Sequence, residues 1–362
     1  MSLQRVVQLL LIFVPIALLA EFVFHADPVL IFIFAALAVI PLAGLVGEGT
    51  EELAVHTGPK IGGLLNATLG NAAELIITII ALNQGLLELV KASIVGSILG
   101  NLLLVMGLSL LLGGLKNGVQ KFDRRNAAIN ATLLIMALVA FMVPSLFDAA
   151  IQGDITSELR LSEGVAIIMI LLYGLSVFYS FTAGNREPEK HTADPLTREA
   201  ADVHEAKWSV RTSLIVLAVA TIGIVLMSEV LVGAVEAVTE TIGLTEFFIG
   251  IIIVPLVGNV AEHLVAVQVA IKNKMELSLS VSIGSSLQIA LFVAPVLVFI
   301  SLLFGETLLL VYNTFELIAL AAASLIAAFI ALDGESNWLE GAMLLAVYAI
   351  LALAFFYVPA TI

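Results

Sequence analysis

Residues 70–74 read Gly-Asn-Ala-Ala-Glu, and residues 258–262 read Gly-Asn-Val-Ala-Glu, each in the middle of a long apolar segment. Each motif places one carboxylate, Glu74 or Glu262, at a depth where a membrane-spanning helix meets no water. A charged residue at that depth is costly and by default marks an ion or proton pathway. The two motifs therefore predict a membrane protein with an acidic site near the middle of the bilayer.

The two motifs belong to a longer internal repeat. Sliding the chain against itself by 188 residues aligns residues 61–100 with residues 249–288 without a gap. Apolar helices match partly by chance, so the informative identities are those of glycine and polar residues. These are Gly62/Gly250, Gly70/Gly258, Asn71/Asn259, Glu74/Glu262, Glu88/Glu276, Gly96/Gly284 and Ser97/Ser285. Duplicated halves that meet at a midplane site are typical of secondary transporters.

Composition agrees with a membrane location. The chain has 362 residues, of which 61% are hydrophobic and only 12% are charged, whereas a soluble domain averages about 25% charged residues. Its long continuous apolar runs differ from the short alternating segments of a transmembrane β-barrel. The absence of cysteine excludes disulfides and thiolate metal sites. We therefore predict an all-α polytopic membrane protein.

Eleven apolar segments each approach the length of about 20 residues that a bilayer requires. They cover residues 4–24, 28–47, 61–84, 88–114, 127–147, 161–182, 207–235, 245–271, 276–304, 309–332 and 338–358. With a cytoplasmic N-terminus, only Lys91 and Arg160 of the fifteen Lys and Arg residues fall on the outer side. This positive-inside bias fixes the predicted orientation.

The predicted spans group into two halves. We expect an N-terminal transmembrane helix in residues 1–27, a first five-helix repeat in 28–182, a cytoplasmic acidic linker in 183–206 and a second five-helix repeat in 207–362. Because five is odd, the second repeat starts from the opposite side of the membrane, so the repeats are inverted. The linker is either a solvated connector or a weak cation-attracting or regulatory segment.

The residue types at the midplane predict a cation site. In each motif the Asn and the Glu are three residues apart and share a helical face. The motif glycines allow local unwinding, and Pro255 frees a backbone carbonyl near the same level. Polar side chains in the following spans are either further ligands or helix–helix contacts. Oxygen ligands favour Ca²⁺ over soft metals, and the predicted set is Glu74, Glu262, Asn71, Asn259, Ser97, Ser285, Asn101 and Gln288.

Two facing carboxylates also predict proton coupling. Like charges in a low-dielectric site cannot both ionise cheaply, so they hold protons until a divalent cation stabilises both as carboxylates. Proton and cation then exclude one another at Glu74 and Glu262, and this exclusion couples the two fluxes. His263, the next residue after Glu262, is either a proton relay or a packed polar residue.

A second set of acids lies at the predicted membrane edges. Glu48 and Glu52 align with Glu236 and Glu240 under the same 188-residue shift. They are either ordinary helix-end acids or a cation-recruiting mouth at each face of the membrane. Glu229 lies inside the seventh span without a matching acid, and no role is assigned to it.

The stretches GGLLNATLGNAAELI and GSILGNLLL in the first half, and PLVGNVAEH and GSSLQIAL in the second, resemble the calcium/proton exchanger (CAX) family of the cation/calcium exchanger superfamily. The resemblance covers essentially the whole chain and is closer to prokaryotic than to plant vacuolar members. It implies Ca²⁺ export from the cytosol by alternating access, driven by inward protons, in a prokaryotic cytoplasmic membrane. It also implies Glu74 and Glu262 as central ligands, with no cofactor and no nucleic-acid partner, and it allows a homotrimer.

Three other functions would use parts of the same pattern. A Na⁺-driven calcium exchanger would share the scaffold, but that branch has a proline-rich GTS-type motif where this chain has GNAAE and GNVAE. A passive cation channel is disfavoured because an inverted repeat around one site favours alternating access. A membrane-embedded enzyme would need a nucleophile or metal motif, and no HExxH is present. We therefore expect a secondary transporter and not an enzyme.

Overall fold

The fold is almost entirely helical. The protein is described by a computed structural model that covers residues 7–151, 154–183 and 206–358. Nearly all of these residues lie in helices, which confirms the all-α prediction. The predicted linker, residues 183–206, lies outside the described residues except for its two end positions.

Fourteen helices are present in the part of the chain that the structure describes. The first half contains α1 (Val7–Phe22), α2 (Pro28–Thr57), α3 (Pro59–Leu69), α4 (Ala72–Asn83), α5 (Leu87–Asn117), α6 (Arg124–Ile151) and α7 (Ile155–Ala183). The second half contains α8 (Val210–Gly233), α9 (Val235–Ile242), α10 (Glu246–Gly258), α11 (Val260–Ile271), α12 (Met275–Phe304), α13 (Thr314–Asp333) and α14 (Trp338–Phe356). Two short strands, β1 (Gln120–Lys121) and β2 (Glu335–Ser336), pair antiparallel.

Eight of the described helices are long and apolar enough to cross a membrane, and α10 with α11 makes a ninth span if that bent pair is counted as one. The other two predicted spans coincide with α1 and with α3 plus α4, which are individually shorter. The structure therefore shows a multispanning helical protein, while the count of eleven spans remains a prediction.

Side-chain caps explain where several helices begin. Asp27 accepts a hydrogen bond from the Val29 amide at 2.9 Å, one residue before Pro28 opens α2. Asn313 at the start of α13 and Asn337 at the start of α14 each form a reciprocal capping box with a glutamate three residues later. Such boxes satisfy amides that have no partner within the helix.

The 188-residue shift relates interruptions of the helices as well as residue identities. Asn71 interrupts the helix between α3 and α4, and Asn259 does so between α10 and α11. The turn after α4 and the turn after α11 occupy equivalent positions. A π-helical segment lies at Gly100–Val105 in α5, and another lies at the equivalent Ile289–Val293 in α12. These interruptions therefore lie at matching positions of the two repeats.

The chain divides into two compact units. The first contains Met1–Ser93 and Thr197–Glu262, and the second contains Ile94–Leu196 and His263–Tyr357, apart from a few C-terminal residues. The first unit therefore holds α1 to α4, the first turns of α5, α8 to α10, and Val260–Glu262 at the start of α11. The second holds the remaining helices and both strands.

Within the first unit, α8 packs along α2. The two helices approach closely at glycines, since a Cβ at Gly223 would lie 2.9 Å from a methyl group of Leu42. The Trp208 amide, just before α8, donates to a carboxylate oxygen of Glu52 at 3.0 Å, and the Trp208 carbonyl lies 2.7 Å from His56 Nε2. The second predicted span ends at residue 47, but α2 continues to Thr57 and His56 lies in its last turn. The end of α2 thereby holds the start of α8.

Within the second unit, α14 packs along α5. A Cβ at Gly341 of α14 would overlap the backbone of Leu111 and Gly107, and a Cβ at Gly114 of α5 would overlap the backbone of Trp338. These glycines let the two backbones come into contact, as is common between helices in membranes.

This packing predicts that alanine destabilises the protein at Gly341 and not at a glycine without close neighbours. We expect Gly341→Ala to lower the thermal unfolding temperature in detergent, because the added methyl group must push α14 away from α5, at a cost of about 1–3 kcal/mol. Gly164→Ala in α7 is the matched control, since no atom lies within 4 Å of its Cβ position. Equal unfolding temperatures for the two variants would contradict this description of the α5–α14 contact.

Candidate ion-binding site

The two motifs place their glutamates just after breaks in the helical backbone. Asn71 has φ −97° and ψ 26°, and Asn259 has φ −104° and ψ 3°, so neither continues the preceding helix. Glu74 lies in the first turn of α4, and Glu262 lies in the first turn of α11. The partial positive charge of a helix N-terminus favours a carboxylate there.

The break in the second motif also redirects the chain. The axes of α10 and α11 differ by 61°. Pro255, which has no amide hydrogen, lies two residues after the π-helical segment Ile249–Ile253. A π-helical segment and a proline both disturb the regular pattern of backbone hydrogen bonds. The backbone ahead of Glu262 is therefore irregular over two turns.

Within the first unit, each glutamate packs on the glycine of the other motif. A Cβ at Gly258 would lie 3.4 Å from Cγ, Cδ and Oε1 of Glu74. A Cβ at Gly70 would lie 3.3 Å from Oε1 of Glu262. The structure thus brings the two predicted acids together in a reciprocal arrangement, with one repeat's glycine beneath the other repeat's carboxylate. A side chain at either glycine would occupy space next to a carboxylate.

Of the two acids, Glu74 is the one that is shielded from solvent. Glu74 is 3% exposed, Asn71 is 2% exposed and Asn259 is 1% exposed, while Glu262 is partly buried. Both carboxylate oxygens of Glu74 are buried and accept no hydrogen bond from the described residues. A buried carboxylate without a compensating partner costs several kcal/mol. Glu74 therefore requires a proton or a cation at its carboxylate.

Four of the six neutral candidates belong to the second unit. In α5, Ser97 lies just before the π-helical segment and Asn101 lies within it. In α12, Ser285 and Gln288 lie just before the π-helical segment. Ser97, Asn101 and Ser285 are buried and Gln288 is partly buried. The Asn101 side-chain nitrogen has no hydrogen-bond partner within the described ranges. These amide and hydroxyl groups lie where α12 packs against the π-helical segment of α5.

The site has few ionisable ligands. Across residues 7–151, 154–183 and 206–358, no group of three or more His, Cys, Asp or Glu side chains is arranged to hold a metal ion. The first unit therefore offers a cation the carboxylates of Glu74 and Glu262 and the amide side chains of Asn71 and Asn259. Such a donor set suits a hard cation. His263 is buried, and its Nε2 has no hydrogen-bond partner among the described residues.

The second acid set divides into two kinds of residue. Glu52 is buried and its carboxylate accepts the Trp208 amide, so its hydrogen bond joins two helices. Glu48 is partly buried, and Glu236 and Glu240 are exposed on α9. Glu229 is exposed on α8. Glu236 and Glu240 are the more exposed pair, as a cation-recruiting role requires.

Sequence reasoning missed one polar contact between the start of α10 and α5. Glu246 at the start of α10 accepts a hydrogen bond from the Leu89 amide at 2.9 Å. A Cβ at Gly250 would come within 2.9 Å of the Leu89 carbonyl oxygen and of the Ala92 Cβ, so α10 packs tightly on the first turns of α5. The identity of Gly250 with Gly62 was a signal for close packing, but Glu246 has no acid at its repeat position.

Comparison with known proteins identifies a family. The model of the sodium/calcium exchanger protein family matches residues 28–182 and 212–357. The chain is 47% identical to a protein of Aphanothece halophytica named Ca(2+)/H(+) antiporter, over 97% of this chain and 96% of that protein. It is 44% identical to the Ca(2+)/H(+) antiporter ChaA of Bacillus subtilis, over 95% of this chain and 96% of ChaA. The solved structure of native YfkE superposes with a TM-score of 0.84 at 41% identity, covering 99% of this chain and 100% of YfkE.

The paired GN-x-x-E motifs, the reciprocal packing of their glutamates and the match of the family model to both halves lead to one assignment. The chain belongs to the sodium/calcium exchanger protein family.

Proposed function

We propose that the chain is a secondary antiporter that exports cytosolic Ca²⁺ in exchange for H⁺, by alternating access at Glu74 and Glu262. The observation that carries the proposal is the reciprocal packing of these two carboxylates on Gly258 and Gly70, with both Glu74 oxygens buried and unbonded among the described residues. The names of the relatives that match nearly the whole chain support protons as the counter-ion.

The proposed coupling follows from charge. Two carboxylates carry two negative charges, which either two protons or one Ca²⁺ can neutralise. A cation ligand must be deprotonated to bind, so Ca²⁺ binding releases protons and proton binding releases Ca²⁺. The empty, doubly ionised site is costly in a low-dielectric environment and does not reorient readily. The exchanger then changes its facing only when loaded with one of the two ions.

The proposed Ca²⁺ ligands are Glu74 and Glu262, completed by Asn71, Asn259, Ser97, Ser285, Asn101 and Gln288. Most of these polar side chains are buried, which supports the assignment because polar residues inside membrane-spanning helices usually mark an ion pathway. The exposed Glu236 and Glu240 are the better candidates for recruiting cations at the membrane surface. Glu48 and Glu52 are proposed in the same role only secondarily, because Glu52 already bonds the Trp208 amide.

The proposed architecture has eleven spans: an N-terminal helix in residues 1–27, inverted five-helix repeats in 28–182 and 207–362, and a linker in 183–206. The repeated interruptions at Asn71 and Asn259 and the two stretches matched by the family model support the repeats. The positive-inside bias supports a cytoplasmic N-terminus in a prokaryotic cytoplasmic membrane. A homotrimer remains a prediction from the family resemblance.

Flux measurements test the proposal. We expect ⁴⁵Ca²⁺ uptake into proteoliposomes to follow an imposed pH gradient and to collapse on addition of a protonophore. Glu74→Gln and Glu262→Gln should each reduce uptake to background, because an amide can neither release a proton nor neutralise Ca²⁺.

Glu229→Gln is the matched control, since it removes an exposed acid of α8 and should leave uptake unchanged. Uptake driven only by a Na⁺ gradient would reject the proton coupling but keep the site. Normal uptake by either Glu74→Gln or Glu262→Gln would reject the site itself.

The shared ligands also predict how Ca²⁺ affinity changes with pH. Protons compete with Ca²⁺ for the two carboxylates, so lowering the pH should weaken binding. In the pH range where both acids are protonated, each unit by which the pH is lowered should raise the apparent dissociation constant for Ca²⁺ by up to about 100-fold. Equilibrium ⁴⁵Ca²⁺ binding to the purified protein between roughly pH 5 and 8 measures this dependence. An affinity that is constant across the range would rule out shared ligands.

The two motif glycines should respond differently to a methyl group. A Cβ at Gly70 would lie 2.6 Å from the Asn66 carbonyl oxygen and 3.3 Å from Glu262, whereas a Cβ at Gly258 meets Glu74 only at ordinary contact distance. We therefore expect Gly70→Ala to slow exchange by about tenfold or more through displaced ligands, and Gly258→Ala to slow it less.

Gly233→Ala is the control for a glycine with no atom within 4 Å of its Cβ position. Initial rates of pH-driven ⁴⁵Ca²⁺ uptake by the three variants decide the order. A larger loss for Gly258→Ala than for Gly70→Ala would contradict the geometry.

A further inference from the structure

Three loops of the second unit are hydrogen-bonded into one surface. The loop after α5 carries β1 and the loop after α13 carries β2, and these strands pair with Gln120 opposite Ser336. The Phe122 amide extends the pairing by donating to the Gly334 carbonyl oxygen at 3.1 Å. Neither strand exceeds two residues, so the side chains around them must hold the loops in place.

Buried amides connect the third loop, which is the turn after α11. Gln120 is 1% exposed, and its Nε2 donates to the Ala270 carbonyl oxygen and to Asn273 Oδ1, each at 2.9 Å. Asn117 Nδ2 donates to the Ile271 carbonyl oxygen at 3.2 Å. Residues 116–125, 272–274 and 333–336 therefore form one defined surface, which we name the basic loop surface.

The charge of this surface is opposite to that of the chain. It carries six exposed basic residues: Lys116, Lys121, Arg124, Arg125, Lys272 and Lys274. It carries three acidic residues, Asp123, Asp333 and Glu335, and Asp123 uses its carboxylate to cap α6 through the Arg125 and Asn126 amides. The surface thus has a net charge of +3, in a chain whose net charge is −14. Six of the fifteen Lys and Arg residues are concentrated here.

Apolar side chains border the basic loop surface. Leu115, Val119 and Trp338 are 62%, 59% and 48% exposed. All three lie at or next to the ends of the candidate membrane spans α5 and α14. Exposed tryptophan and aliphatic side chains at such positions lie at the boundary between headgroups and hydrocarbon. The cations beside them are then at the level of the lipid phosphates.

We propose that the basic loop surface binds the phosphate groups of anionic phospholipids in the adjoining leaflet. Clusters of four to eight Lys and Arg residues next to membrane-spanning helices are attracted to anionic lipids. Arginine and lysine donate charge-assisted hydrogen bonds to phosphate oxygens. The apolar border favours a lipid over a soluble phosphate, because only a lipid brings acyl chains to Leu115, Val119 and Trp338.

Tryptophan fluorescence tests the proposal directly. The chain has two tryptophans, so Trp208→Phe leaves Trp338 as the sole reporter beside the basic loop surface. In phosphatidylcholine bilayers, brominated phosphatidylglycerol should quench Trp338 more than brominated phosphatidylcholine at the same mole fraction. In K116Q/K121Q/K272Q the preference should fall roughly fivefold for each lysine removed, until it reaches one. High salt should weaken the preference of the parent protein in the same direction.

The control variant is R160Q/K207Q/R211Q, which removes three exposed cations outside the basic loop surface and should keep the preference. An unchanged preference in K116Q/K121Q/K272Q would overturn the proposal. An equal loss in the control variant would also overturn it, because the lipid preference would then depend on the total charge of the protein and not on the basic loop surface. Abolition of the preference by millimolar inorganic phosphate would replace the lipid with a soluble anion as the ligand.

Discussion

The contact of each motif glutamate with the glycine of the other motif is the constraint on which the functional part of the structure depends. Glu74 packs on Gly258, and Glu262 packs on Gly70. Burial makes each negative charge expensive, and bringing the two together makes double ionisation more expensive still. An arrangement of this kind is stable only when the charges are neutralised, and the neutralising ion is what a transporter carries.

The helix interruptions make that contact possible. In a regular helix every backbone amide and carbonyl near the motifs would be hydrogen-bonded within the helix. Glu74 and Glu262 would then each lie in the middle of one continuous helix. The non-helical Asn71 and Asn259 instead start new helices immediately before the acids, and α11 turns by 61° from α10. Irregular backbone at membrane depth is tolerated only where it faces protein or an aqueous cavity. The irregularity is therefore consistent with a pathway for ions.

The proximity of the two motif acids was predictable from sequence, and the reason is physical. A carboxylate inside an apolar span has few explanations, so Glu74 and Glu262 stand out, and their repeat positions indicate that they face one another. The π-helical segments were not predictable, because a change of backbone hydrogen-bond register leaves no side-chain signature. The predicted span 28–47 is shorter than the helix that contains it, because α2 continues through polar residues to Thr57. An apolar run indicates only the part of a helix that lies within the membrane. The bond from Trp208 to Glu52 joins residues 156 positions apart, beyond any local pattern.

The central claim is that Ca²⁺ and protons compete for the same two carboxylates, and the protons released on Ca²⁺ binding test it most directly. Calorimetric titration of the purified protein with Ca²⁺ in two buffers of different ionisation enthalpy gives this number. The account predicts release of at least one proton per bound Ca²⁺ at a pH where the pair is protonated, with less release from Glu74→Gln. Binding of Ca²⁺ with no proton release at any pH would contradict the account.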